Sequence, residues 1–182
     1  DVLVIASPHT ILYGDYFHIS PGENAVGDMS AFGAPEVRIH VQYDTALREE
    51  IIHRAEKAGL RAGTLGERDA TLDHGVLIPL YFLRKAGLTC PIVRMGLSGF
   101  SPLAHSPLGQ CVAEAAEALG RRVLFVASGD LSHKLKADGP YGFAPEGPVF
   151  DQAATEAMAS GDFLQFLTMD PTLCERAAEC GL

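Results

Sequence analysis

Three short, mostly apolar runs constrain the fold of this chain more than any other feature. Residues 2–6, 91–98 and 121–127 are each predicted to form a strand, and the first and third are apolar enough to be buried on both faces. Between them, apolar residues recur at helical spacing. Strands that alternate with helices predict an α/β protein whose mixed, largely parallel sheet is flanked by helices on both faces. In such sheets, ligands bind beyond the carboxyl ends of the strands.

Local patterns predict the remaining elements. Residues 37–43 alternate apolar and polar side chains, which predicts a strand with one buried face. Residues 13–33 are rich in Gly, Ser, Pro and aromatic residues without periodicity, which predicts a long functional loop. Asp73 is predicted to cap a helix that begins near His74, and Asp170 is predicted to cap the last helix.

Composition bounds the class of protein and its partners. A chain of 182 residues is long enough for one domain with a sizeable core, so a single domain over residues 1–182 is predicted. A net charge of -9 argues against nucleic acid or an anionic membrane as partner and favours a small substrate. Four cysteines without C-x-x-C spacing, and no apolar run long enough to span a membrane, predict a cytoplasmic protein. The apolar run directly after Asp1 and the uncapped helical pattern of residues 175–182 predict truncation at both ends.

Four of the seven histidines are candidates for a functional site. His9 and His133 each follow an apolar strand, a position where catalytic residues concentrate. His74 lies in an Asp-His-Gly segment at a predicted helix start, where it either acts in the site or is only a neighbour of the capping carboxylate. His18, in an aromatic segment, either packs there or reaches the site.

A metal that activates dioxygen is typically ferrous iron held by two histidines and one carboxylate, with faces left open for substrate and oxygen. Spacing does not choose among the available carboxylates, because the ligands need only meet in space. The candidates are Asp15, Asp73, Asp130, Asp138, Glu175 and Glu179.

Three separated segments carry a family resemblance. Ser7-Pro8-His9, residues 72–80 and residues 127–133 resemble, in this order, the signature segments of the LigB-type class III extradiol ring-cleavage dioxygenases. The resemblance extends over nearly the whole chain. Three further segments resemble the branch called AmmeMemoRadiSam system protein A: residues 32–37, 138–143 and 178–182. Memo-type proteins are relatives of this branch.

The resemblance implies roles for individual residues. His9 and Glu179 correspond to metal ligands in that family, and the metal implied is Fe(II), with zinc as an alternative. His133 corresponds to the catalytic acid and base. His74 corresponds to a second catalytic histidine that contacts substrate or oxygen.

Two residues of the 127–133 segment, Ser128 and Asp130, are predicted to bind substrate. The family's other iron-binding histidine lies on a strand that would precede Asp1, and no residue of this chain corresponds to it. Three explanations are open: the chain is truncated, His18 substitutes, or this copy binds metal poorly, as in Memo-type relatives.

The implied function is non-haem Fe(II)-dependent extradiol cleavage of a catechol-type substrate with dioxygen. The alternative is a non-catalytic, Memo-like metal-binding or partner-binding domain that works with a radical-SAM protein. A metal-dependent hydrolase is a third hypothesis, which a zinc preference would favour. The branch implies an AMMECR1 domain or a radical-SAM protein as partner, and homo-oligomerisation stays open.

Overall fold

The computed structural model describes residues 1–67 and 69–181, so Leu182, the last residue of the 178–182 segment, lies outside the described residues. The chain divides into two compact units, Asp1–Ser128 and Gly129–Leu182, and each is described by itself. The single domain over residues 1–182 stays a prediction. The elements of the first unit are β1 (Val2–Ser7), β2 (Phe17–His18), β3 (Asn24–Met29), β4 (Ala34–Gln42), α1 (Thr45–Lys57), β5 (Ala62–Gly63), α2 (His74–Lys85), β6 (Ile92–Gly96), α3 (Pro102–Ala118) and β7 (Val123–Ala127), with a 3-10 helix at Ser30–Phe32. Those of the second unit are α4 (Glu146–Ser160), a 3-10 helix at Phe163–Thr168 and α5 (Pro171–Ala177).

A parallel sheet of order β6-β1-β7 forms the centre of the first unit. β1 is buried along its whole length, and its side chains alternate between two apolar clusters. Val2, Val4 and Ala6 pack in one cluster with residues of α1 and α3. Leu3 and Ile5 pack in the other with residues of α2 and β4. The predicted α/β architecture, with helices on both faces of a parallel sheet, is therefore confirmed.

The prediction of a long loop over residues 13–33 is wrong. This stretch contains β2, β3 and the 3-10 helix. β3 pairs with β4 as an antiparallel hairpin, and β2 pairs in parallel with β5. β2 pairs with a segment that is distant in the sequence, and in β3 the buried positions are Ala25 and Gly27, so local apolar periodicity was too weak to reveal either strand.

β7 is a strand, as predicted, but the prediction that it is buried is wrong. Leu124 is 46% exposed and Phe125 is 49% exposed, and they lie on opposite faces of the strand. The reason is that β7 forms an edge of the three-stranded sheet, with β1 as its only neighbour in the described sheet. Apolar composition alone does not distinguish a central strand from an edge strand.

Aspartate side chains start three of the helices. The carboxylate of Asp44 accepts a hydrogen bond from the backbone of Leu47 at the start of α1. Asp73 caps α2 and Asp170 caps α5 in the same way, as the sequence predicted. Among the described residues, no helix combines the length and the apolar composition that crossing a membrane requires.

Candidate functional site

The carboxylate of Asp73 joins the end of β1 to the start of α2. Its Oδ1 accepts from the Ser7 hydroxyl at 2.7 Å, and its Oδ2 accepts from the Thr10 hydroxyl at 2.8 Å. Oδ1 also accepts from the backbone N–H of Val76 at 3.2 Å, which caps the helix. One side chain therefore satisfies a helix terminus and holds the strand-end loop, residues 7–10, against it.

Two predicted site histidines meet at this junction. The rings of His9 and His74 have centroids 4.0 Å apart and planes inclined by 37°. His9 is exposed just past the end of β1, and His74 is half-buried as the first residue of α2. Gly75 permits the close approach, because a Cβ there would lie 2.4 Å from the Ser7 hydroxyl oxygen and 3.2 Å from Cδ2 of His9. We call His9 and His74 the histidine pair.

Phe32 lies beside the histidine pair. Its ring centroid is 5.6 Å from that of His74, and the residue is 61% exposed. Gly27 on β3 seats the hairpin on the segment before α2, because a Cβ at Gly27 would lie 2.9 Å from the Cβ of Leu72. The sequence signal for Phe32 was its place in the 32–37 segment, but a contact with His74 was not predicted.

His18 occupies a different environment. It is fully buried, its Nδ1 is 2.8 Å from the carbonyl oxygen of Leu65, and its Nε2 is 3.1 Å from Oε2 of Glu67. Both ring nitrogens are thus engaged in hydrogen bonds. The hypothesis that His18 substitutes as a metal ligand gains no support from these contacts, because they leave no ring lone pair for a metal.

Ser128 lies at the same edge of the sheet as the end of β1. Its backbone N–H donates to the carbonyl oxygen of Ala6 at 2.9 Å, which continues the pairing of β7 with β1. Because parallel strands end at the same edge of a sheet, Ser128 stands at the carboxyl edge where substrate binding was predicted.

In the second unit, an antiparallel bridge organises the remaining predicted residues. The backbone N–H of Asp130 donates to the carbonyl oxygen of Cys180 at 2.8 Å, and the N–H of Cys180 donates back at 3.2 Å. A Cβ at Gly129 would lie 2.7 Å from the Cys180 carbonyl oxygen, so the two segments touch closely. Glu179, the predicted metal ligand, is half-buried within this paired segment.

His133 has a defined ring orientation. Its Nδ1 is 2.5 Å from the carbonyl oxygen of Ala178. A carbonyl only accepts, so Nδ1 carries a proton and Nε2 is the atom that can gain or lose one. Nε2 faces Oδ2 of Asp130 at 3.4 Å, and the ring centroid is 4.9 Å from that of Tyr141, which is 59% exposed.

Cys180 is a residue that sequence reasoning did not select. Its Sγ is 4.0 Å from Oδ2 of Asp130. Burial, together with the negative charges of Asp130 and Glu179, raises the pKa of the Cys180 thiol, so the sulfur is protonated at neutral pH. Cys180 belongs to no C-x-x-C pair. Its place next to Glu179 was therefore the only sequence feature that could have marked it.

Comparisons with known proteins give one family and one relative. Residues 1–182 match the family model of the catalytic LigB subunit of aromatic ring-opening dioxygenase. The chain is also similar to Protein CA_C1420 of Clostridium acetobutylicum, with 29% identity over 189 residues that take in 100% of this chain and 40% of that protein. The chain therefore spans less than half the length of this relative.

Proposed function

This chain belongs to the family of catalytic LigB subunits of aromatic ring-opening dioxygenases, and we propose that it cleaves a catechol-type ring with dioxygen in an extradiol, non-haem Fe(II)-dependent reaction. The observation that carries the proposal is the histidine pair, whose rings stand 4.0 Å apart at the carboxyl edge of the parallel sheet. Family membership alone does not fix the reaction, so each role below is part of the proposal.

The proposed metal ligands are His9 and Glu179, carried over from the family resemblance. Imidazole and carboxylate are donors that suit ferrous iron, and the same donors accept zinc. Bound Fe(II) would supply a Lewis-acid centre and a route for electrons between the catechol and dioxygen. The remaining chemistry falls to side chains of this chain.

His133 is proposed as the acid and base. Because Nδ1 is held by the Ala178 carbonyl, Nε2 is the atom that would take a proton from a catechol hydroxyl and later return it. The carboxylate of Asp130, 3.4 Å from Nε2, would stabilise the imidazolium that forms. Ser128 and Asp130 remain the proposed substrate-binding residues.

His74 is proposed to donate a hydrogen bond to negative charge that develops on the substrate or on oxygen. A donor held in position before the reaction stabilises such charge without reorganisation. Asp73 supplies that rigidity, because it caps α2 directly before His74 and accepts from two residues of the strand-end loop.

Exposed aromatic rings support an aromatic ligand. Phe32 lies beside His74 in the first unit, and Tyr141 lies beside His133 in the second. In either unit, an offset or edge-to-face contact with an aromatic ligand would bury part of the exposed ring and add to binding. Large apolar side chains left exposed next to candidate catalytic groups are typical of ligand sites.

A second candidate is the non-catalytic, Memo-like domain that binds metal or a partner such as a radical-SAM protein or an AMMECR1 domain. The observation that favours it is the exposed apolar edge strand β7, with Leu124 and Phe125 on its two faces. Such an edge can add a strand from a partner.

The test is anaerobic Fe(II) binding followed by oxygen uptake with catechols. We expect His9→Ala to lose iron, and His133→Ala to keep iron while ring cleavage falls by at least about a hundredfold, the typical contribution of general acid–base catalysis. His53→Ala, on the exposed face of α1, is the control and should change neither. Equal iron loss in both variants would contradict the assigned roles, and iron binding without ring cleavage in the wild type would favour the partner-binding domain.

A further inference from the structure

Arg94 is a charged residue in the middle of a buried strand. It interrupts the apolar run of β6, and its side chain is only 3% exposed. Burying a guanidinium group costs several kcal/mol unless its N–H groups find partners, so its contacts define a specific arrangement. Arg94 belongs to no motif that the sequence analysis selected.

The guanidinium of Arg94 connects three places along the chain. Nε donates to the hydroxyl of Ser20 at 2.6 Å, and Nη1 donates to the carbonyl oxygen of Thr71 at 3.0 Å. Nη2 donates to Oε2 of Glu67 at 2.7 Å in an ion pair whose carboxylate is 2% exposed. Ser20 follows β2, whereas Glu67 and Thr71 both lie between β5 and α2.

Glu67 is ionised within this cluster. Burial opposes its ionisation, but the hydrogen bonds from His18 and Ser20 and the charge of Arg94 outweigh burial and hold the pKa of Glu67 below its usual range. An ionised carboxylate only accepts hydrogen bonds, and so does the Leu65 carbonyl. His18 Nε2 and Arg94 Nη2 therefore share one acceptor, Oε2 of Glu67, at 3.1 Å and 2.7 Å.

These contacts fix a segment that has no regular structure of its own. Between β5 and α2, the described residues form neither helix nor strand. The segment is held instead by the bonds of Arg94 to Glu67 and Thr71, and by the backbone N–H of Leu72, which donates to Val26 at 3.0 Å. Directly after Leu72 come Asp73 and His74. The last anchor of Arg94 is thus three residues before the histidine pair.

We propose that Arg94 is a positioning residue, which holds the carbonyl of Thr71 and the carboxylate of Glu67 so that Asp73 and His74 are delivered next to His9. Arg94 touches neither substrate nor metal in this role. The consequence for catalysis rests on the proposed function, whereas the consequence for the geometry does not.

Amide hydrogen exchange tests the proposal without any activity. Arg94→Lys keeps the positive charge but loses the planar guanidinium that donates to three partners. We expect amide exchange at Leu72 and Val76 to rise by about tenfold to a hundredfold in this variant, the factor expected for losing a charge-assisted hydrogen bond. NMR signals of the His74 ring should shift as well. Ile51→Val, a core change in α1, is the control for general destabilisation. Ile51 packs in the apolar cluster between β1, α1 and α3, and not with the segment before α2.

The pattern of exchange decides the outcome. Faster exchange confined to residues 71–77 supports the proposal, and an increase spread over all strands, as in Ile51→Val, overturns it. If Arg94→Lys does not fold, Glu67→Gln removes the charge that pairs with Arg94 and Ser20→Ala removes the hydroxyl that accepts from it, and each should give the same local pattern. If the wild type cleaves a catechol, kcat should fall in the variants while KM changes less. If it cleaves none, the proposed function fails, but the exchange data still decide the role of Arg94.

Discussion

Asp73 is the residue on which the candidate site depends most directly. Its two carboxylate oxygens receive three hydrogen bonds, one from each of Ser7, Thr10 and the backbone of Val76. An amide of the same shape has only one accepting oxygen, so it cannot serve all three donors. A change that preserves helix capping would therefore still weaken the attachment of the strand-end loop, because the charge-assisted bond from Thr10 is lost.

We expect Asp73→Asn to lower the free energy of unfolding by about 1–3 kcal/mol, because one hydrogen bond to a charged acceptor is lost at a part-buried site. Urea denaturation measures this loss. Asp170→Asn is the matched control, because Asp170 caps α5 through one bond to Thr172 and Asn caps equally well. Equal destabilisation by both substitutions would show that Asp73 acts only as a cap.

The secondary-structure elements were predictable where local pattern and tertiary environment agree. β1 follows from a continuous apolar run, α1 from apolar residues at helical spacing, and the start of α2 from Gly75 and Pro79. The cap at Asp170 follows from residue type. β2 was missed because its partner strand is distant in the sequence, and β3 was missed because its buried positions, Ala25 and Gly27, carry little apolar signal. The exposure of β7 was missed because the apolar composition of a strand does not show how many strands pair with it.

The same limits apply to the candidate site. His9 and His74 were selected individually from their positions at element ends, but their 4.0 Å contact depends on how α2 packs against β1. Arg94 and its partners were missed because Ser20, Glu67 and Thr71 are scattered along the chain and share no motif. Phe32 was quoted within a motif without a role.

The exposed edge of β7 predicts self-association. Leu124→Lys should reduce aggregation in light-scattering measurements, because a charge on an edge strand disfavours strand addition by another molecule. Stability should change by less than about 0.5 kcal/mol, as is usual for exposed positions. Leu164→Lys, on an exposed 3-10 helix, is the control for lowered hydrophobicity alone. A similar benefit from both substitutions would argue against an edge-specific effect.

Considered as a whole, the molecule distributes its candidate groups over both units. The first unit holds the sheet, the histidine pair and the buried cluster around Arg94, and the second holds His133, Asp130 and Glu179. The family model matches both units. The buried charges around Arg94 contribute to the stability of the fold. A stability measurement therefore reports on them independently of any reaction.

Glu67 gives this stability a pH dependence with a definite sign. Its pKa in the folded protein lies below the ordinary value of 4.5, so the unfolded chain binds more protons and the stability that Glu67 contributes is complete above about pH 4.5. That contribution is lost as the pH falls through the folded pKa. Denaturation from pH 7 to pH 3 should show the wild type approaching Glu67→Gln in stability as the solution becomes acidic. A constant difference between the two proteins across this range would show that Glu67 is not ionised in the fold.

Gly75 limits how the surroundings of the histidine pair can be changed by evolution or by an engineer. A single added methyl group would collide with Ser7 and crowd both Asp73 and His9, so position 75 admits no larger side chain. Phe32, in contrast, lies on the 3-10 helix Ser30–Phe32 beside His74 and is 61% exposed. A mutant library that aims to broaden the range of accepted ligands would therefore yield folded proteins when it randomises Phe32, and mostly unfolded or inactive ones when it randomises Gly75.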